Sequence, residues 1–187
     1  MAARTAEPAW VADVLRFWLE ETPAEARFKR SDSLDEAIRF LFAGVYEALR
    51  QTPPDAFTLT PRLALAAVIV LDQFPRNMFR GRPEAFASDV IARRIASDAV
   101  AAGLDQALDN DGRLFLYLPF EHAENLELQE RSVALIAALG DANLDTFAIA
   151  HRDIIRRFGR FPHRNAALGR PSTAEEIAFL REPGSGF

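Results

Sequence analysis

Leu126-Glu127-Leu128-Gln129-Glu130-Arg131-Ser132-Val133-Ala134-Leu135-Ile136-Ala137-Ala138-Leu139 carries apolar residues on two sides of a helical wheel. Leu126, Val133 and Ala137 form one side, and Leu128, Leu135 and Leu139 the other. A helix covered on both sides belongs in the interior layer of a helical stack, and Gly140 supplies its stop. Downstream, a helix spans Leu144 to Phe158 and closes at Gly159. A short last helix starts from a Ser172 or Thr173 cap and contains Ile177 and Leu180, ahead of a tail that frays or docks.

The same punctuation continues upstream. Leu114 to Phe120 is a short apolar run that the helical context assigns to a buried helix. A helix from about Pro83 to Gly103 places Phe86, Val90, Ile91, Ile95 and Ala99 on one face. Thr60 followed by Pro61 reads as an N-cap with proline at the first helical position, opening a helix through Leu63, Ala67, Val70, Leu71 and Phe74 whose end Pro75 disturbs. Ser31 or Ser33 caps a run carrying Ile38, Leu41, Phe42, Val45 and Leu49, and Pro8 opens another that ends near Glu21. Ala and Leu together supply 54 residues against 24 for Val, Ile and Thr, which favours helix over strand throughout. The expectation is one all-α domain over residues 1–187, built of stacked antiparallel helix pairs; chains usually divide only beyond roughly 250 residues.

Composition excludes several chemistries. The chain has no cysteine, so disulfides, thiolate metal sites and cysteine nucleophiles are ruled out. The longest uninterrupted apolar stretch, Leu63 to Leu71, is far short of the roughly 18 residues a membrane span needs. Glu7 and Asp13 interrupt any apolar export signal near the N-terminus, which leads to the expectation of a cytoplasmic protein. A net charge of −5 argues against general affinity for nucleic acid or anionic membranes. Of 22 basic residues only Lys29 is lysine, and 33 residues are alanine. GC-rich coding accounts for both counts, so the placement of the arginines carries more information than their number.

Three segments gather polar side chains that helical scaffolding does not require. In Leu71-Asp72-Gln73-Phe74-Pro75-Arg76-Asn77-Met78-Phe79-Arg80-Gly81, Arg76 and Arg80 can seat an anion through their guanidinium forks. Alternatively, Asp72 pairs with Arg76 at i,i+4 and Arg80 caps helix carbonyls. In Glu121-His122-Ala123-Glu124-Asn125, His122 and Glu124 invite acid–base chemistry, while Asn125 can cap the following helix. Neither spacing nor a second nearby histidine supports a metal site there.

The third segment runs from His151 to Asn165. His151 lies in the stripe of Phe147, Ile154, Ile155 and Phe158 and should face inward, with Arg152, Arg156 and Arg160 opposite and Asp153 able to pair with Arg157. His163, Arg164 and Asn165 follow Gly159 and Pro162 on an irregular stretch, where binding residues are commonly displayed. Residues 98–147 carry ten acids and two arginines, and residues 151–170 six arginines and one acid. The two regions are expected either to pack together or to form opposite walls of a cleft.

Taken together these segments resemble the bacterial family known as domain of unknown function 924. The resemblance also runs through Phe17-Trp18, Asp35 to Phe42, Ala85-Phe86 with Asp89, Gln129-Glu130-Arg131-Ser132, Leu168-Gly169-Arg170 and Ser172-Thr173. It departs at residues 121–125, where the family pattern is closer to Met-His-Ser-Glu-Asp and only His122 and Glu124 match. It implies a right-handed, tetratricopeptide-repeat-like array of about eight helices, and no activity.

Two principal functions are then in competition. One is a binding protein whose groove presents Arg76, Asn77, Arg80, His163, Arg164 and Asn165 to an anionic small molecule or a peptide carboxylate. The other is a hydrolase or lyase using His122 or His163 as the acid–base group with Asp72 or Glu124 as its partner. It requires such a pair within hydrogen-bond reach in a pocket. No cofactor, metal or membrane partner is expected, and RNA is a minor prospect for the arginine face of residues 152–164.

Overall fold

The computed structural model describes residues 7–185, whose regular elements are all helices with no strand among them. Helix α1 (Ala9–Leu15) continues into a π turn over Arg16–Glu21. Helix α2 (Asp32–Arg50) is capped by the Ser31 side chain, and α3 (Pro61–Val68) by Thr60 with Pro61 at its first position. A π turn over Ile69–Gln73 carries α3 without a break into α4 (Phe74–Met78). Then come α5 (Asp89–Ala101), α6 (Asn110–Glu121), α7 (Leu126–Ala137), α8 (Ala142–Phe158) and α9 (Ala174–Phe179).

The helix covered on all sides is α3 with its π continuation. Every residue from Leu63 to Pro75 is buried, and α1, α5 and α6 pack around it. An unbroken apolar run has no polar face to offer water, so it occupies the centre. Around it, Trp18 meets Phe74 and Phe115 edge-on at 5.5 and 5.8 Å, and Phe42 stacks on Phe74 at 4.9 Å.

Helix α7 does lie between α6 and α8, but its apolar residues are not buried as two opposite faces. The buried stripe is Gln129, Ser132 and Ile136, with Leu128, Val133 and Leu135 as partly buried flanks and Leu126 exposed. The expected Pro83–Gly103 helix is divided into a 3-10 turn over Pro83–Phe86 and α5, and Val90 points to solvent at 64% exposure. His151 faces inward as expected, whereas Phe147 does not.

The acidic and basic regions meet. Glu130 pairs with Arg156 across the α7–α8 contact and Glu124 pairs with Arg170. Asp153 takes Arg152 and Arg156 instead of Arg157, which reaches Glu175. Thr173 and Glu176 form a reciprocal capping box at α9. Of the expected tail, residues 186–187 lie outside the described residues. No helix among the described residues is long and apolar enough to cross a membrane.

Candidate active site

Pro75 has no N–H, so the Leu71 carbonyl one turn earlier lacks its ordinary helical donor. The buried Ser88 hydroxyl fills that place at 2.6 Å. On the same π turn, Asp72 and Gln73 are both buried, Asp72 completely. Single π turns inside α-helices are frequent at functional sites.

Asp72 is surrounded by donors. His122 Nδ1 lies 2.8 Å from Oδ2 and 3.0 Å from Oδ1, Gln73 Nε2 donates to Oδ2 at 2.6 Å, and Arg76 Nη1 stands 3.4 Å from Oδ1. Arg76 also donates to the Asp72 carbonyl and forks onto both oxygens of Asp89 at 2.9 and 3.0 Å. Burial works to raise the Asp72 pKa, but Arg76, His122 and Gln73 outweigh it and hold the carboxyl well below the usual range. Asp72 is therefore ionised at neutral pH.

His122 sits just past the end of α6, where helix carbonyls have no helical donors left. Three successive carbonyls are taken by side chains. Gln129 Nε2 donates to Glu121 at 2.5 Å and to Ala123 at 2.8 Å, and Arg164 Nη1 donates to His122 at 3.0 Å. The apolar stripe of α7 is interrupted by Gln129 because this residue fixes the backbone on both sides of the histidine.

Arg164 is itself enclosed. Its guanidinium lies 4.8 Å from the Phe86 ring centre and 4.5 Å from that of Phe161, with Asp89 at 3.7 Å. Its buried Nε–H meets no acceptor among the described residues, so the two π faces and the Asp89 charge compensate its desolvation. Burial, then Arg76, push its pKa down to about 10, which leaves it charged. Burial and then Arg76 likewise push His122 below 6.5, against the attraction of Asp72.

His122 lines an open cleft of about 390 Å³ together with Phe86, Asp89, Arg93, Glu124 and Arg164. With Nδ1 turned to a carboxylate that has no exposed surface, the edge carrying Nε2 is the one the ring offers to the cleft. A neutral ring that donates from Nδ1 keeps a lone pair on Nε2. Behind it lies Glu121, 3.3 Å from His151 Nδ1, with its carboxyl pushed up to about 8 by burial and by Asp72. His151 Nδ1 is 2.8 Å from the Phe147 carbonyl, and burial lowers its pKa to about 3.

The expected site residues divide into three groups. Asp72, Arg76, His122 and Arg164 converge on or directly behind the cleft. Asn77 and Arg80 do not, since both bind Asp35 on α2, with Asn77 Nδ2 at 2.7 Å and Arg80 Nη2 at 2.9 Å. Glu124, which lines the cleft, forms the third group with Asn165 and His163. Glu124 accepts two bonds from Arg170 at 2.6 and 2.9 Å and one from the Phe161 N–H at 2.8 Å, so it fastens the 161–170 segment. Asn165 joins Arg170 to Glu176 and Ser172. His163 packs 5.5 Å from the Phe161 ring, its pKa lowered to about 4 first by burial and then by Arg164.

The sequence reading missed Asp89 and Arg93 as cleft residues. Their i,i+4 spacing suggests a local pair, yet Asp89 turns to Arg76 and Arg93 makes no hydrogen bond or ion pair with any described residue. Among the described residues no three His, Asp or Glu side chains form a group placed to hold a metal ion.

Residues 14–184 match the bacterial proteins of unknown function DUF924, and the chain belongs to that family. A solved structure of a protein of unknown function, ATU0120 from Agrobacterium tumefaciens, is 39% identical and superposes with a TM-score of 0.87 over 92% of this chain and 97% of that one. Comparison with curated proteins gives no match.

Proposed function

We propose that the cleft is a catalytic site in which His122 acts as general base and acid, in a hydrolase or lyase. The observation that carries this reading is the 2.8 Å contact between His122 Nδ1 and the fully buried Asp72, in a histidine that lines a cleft. A carboxylate behind Nδ1 fixes the tautomer and orientation of the ring and stabilises the imidazolium formed when Nε2 takes a proton. Gln129, Arg164 and Arg76 are positioning residues that act through His122 or Asp72. In the hydrolytic version Nε2 removes a proton from water as it attacks, and returns it to the leaving group.

The reading as a binding protein with Arg76, Asn77 and Arg80 as its anion seat has less support, because their polar groups are engaged by Asp72, Asp89 and Asp35. The test is a panel of chromogenic esters, amides and phosphoesters assayed with the wild type and with His122→Asn. The expected result is turnover that falls by at least about a hundredfold in the variant. Turnover at the wild-type rate in His122→Asn, or none across the panel, contradicts the hydrolase.

A further inference from the structure

A second open groove, of about 440 Å³, adjoins the His122 cleft. Val90, Ile91 and Leu128 give it apolar walls beside Arg94 and Ser97, and it shares Arg93 and Leu128 with the cleft. Arg93 and Leu128 thus stand where a largely apolar groove and the polar cleft meet.

Arg93 is unusual among the arginines of this region. Arg76 is held by Asp72 and Asp89, Arg94 by Asp98, and Arg170 by Glu124. Arg93 is half-buried and has no such partner among the described residues. The nearby cleft carboxylates are already satisfied by bidentate forks, Asp89 from Arg76 and Glu124 from Arg170. An uncompensated guanidinium beside apolar surface suits an anion that carries a hydrocarbon chain. Val90, 64% exposed on the turn of α5 preceding Arg93, supplies apolar surface for that chain.

We infer that the substrate is an amphiphilic anion: a carboxylate-bearing molecule with an aliphatic chain of several carbons. Its charge sits on Arg93, its chain lies along Val90, Ile91 and Leu128, and its reacting group extends toward His122. This assignment rests on the acid–base reading of the cleft and adds the substrate class to it.

Titration calorimetry with octanoate, acetate and 1-octanol tests it on the full chain. Octanoate should bind at least about tenfold more tightly than either acetate or octanol. Arg93→Gln should weaken octanoate by at least about tenfold and leave octanol unchanged, Arg93→Lys should retain most of the octanoate affinity, and Val90→Asp should erase the preference for octanoate over acetate. Both altered side chains lie toward the surface, and unchanged thermal unfolding confirms that the variants are folded. Equal binding of acetate and octanoate, no octanoate binding, or wild-type octanoate affinity in Arg93→Gln overturns the inference. The two readings fail separately. Loss of the octanoate result with turnover still dependent on His122 removes only the substrate class, whereas Arg93-dependent octanoate binding with turnover indifferent to His122 removes the acid–base role.

Discussion

Arg164 donates to the carbonyl of His122 at 3.0 Å while its guanidinium stands over the rings of Phe86 and Phe161. It therefore acts twice on the histidine, by fixing its backbone and by placing a positive charge near its ring. Removing that charge should raise the His122 pKa toward 6.5, and losing the stacked cation and its hydrogen bond should cost about 2–4 kcal/mol. Arg164→Ala tests both, by NMR titration of the imidazole and by urea unfolding. An unchanged His122 titration would show that the charge is screened from the ring.

Gln129 offers a cleaner separation of positioning from chemistry. Gln129→Leu keeps the volume but leaves the Glu121 and Ala123 carbonyls without their donor, at an expected cost of roughly 2–3 kcal/mol. The denaturant midpoint should fall with no change in m-value. The turnover of the folded protein should fall with it, because the end of α6 is what aims His122.

Stability should depend on pH with a maximum near 6.5. His151 and His163 have folded pKa values of about 3 and 4, below the ordinary 6.5. The unfolded chain then binds more protons up to pH 6.5, and stability rises over that range. Glu121 has the opposite sign. Its folded value of about 8 exceeds the ordinary 4.5, so the folded chain holds the extra proton and stability falls as pH rises from 4.5 to 8. His122, also held below 6.5, adds to the rising limb; the histidines together outweigh one carboxyl below 6.5, and Glu121, facing Asp72 and His151, dominates above it. Urea midpoints between pH 5 and 8.5 should show the maximum, and Glu121→Gln should flatten the descending limb.

Glu124 binds both ends of the segment from Phe161 to Arg170, through the Phe161 N–H and the Arg170 fork. Glu124→Gln should lower amide hydrogen-exchange protection at 161–170 with α3 unaffected, since α3 lies in the main core. Equal loss in both regions would mean that Glu124 supports the whole domain.

The fold was legible where local chemistry is decisive. Thr60 caps α3 as expected, Asn125 takes the cap role open to it, and of the paired alternatives Ser31 and Thr173 are the caps rather than Ser33 and Ser172. The two-sided pattern of Leu126–Leu139 marks an interior layer, and α7 does pack between α6 and α8, but the fully enclosed element is Leu63–Pro75, because a run without period is what all-round burial requires. At the site, His122 and Asp72 were both visible as candidates, but 50 residues separate them and only packing of α6 against the π turn brings them together. Gln129 and Arg93 were hidden for opposite reasons. A glutamine in an apolar stripe gives no sign that it will satisfy two carbonyls, and i,i+4 spacing wrongly suggests that Asp89 neutralises Arg93.

If His122 is a neutral base held by Asp72 through Nδ1, long-range ¹H–¹⁵N NMR of the imidazole nitrogens at pH 7 should show a neutral ring with its proton on Nδ1 and a titration below 6.5, and Asp72→Asn should abolish the preference for that tautomer. An imidazolium at pH 7, or a proton resident on Nε2 in the wild type, would contradict it.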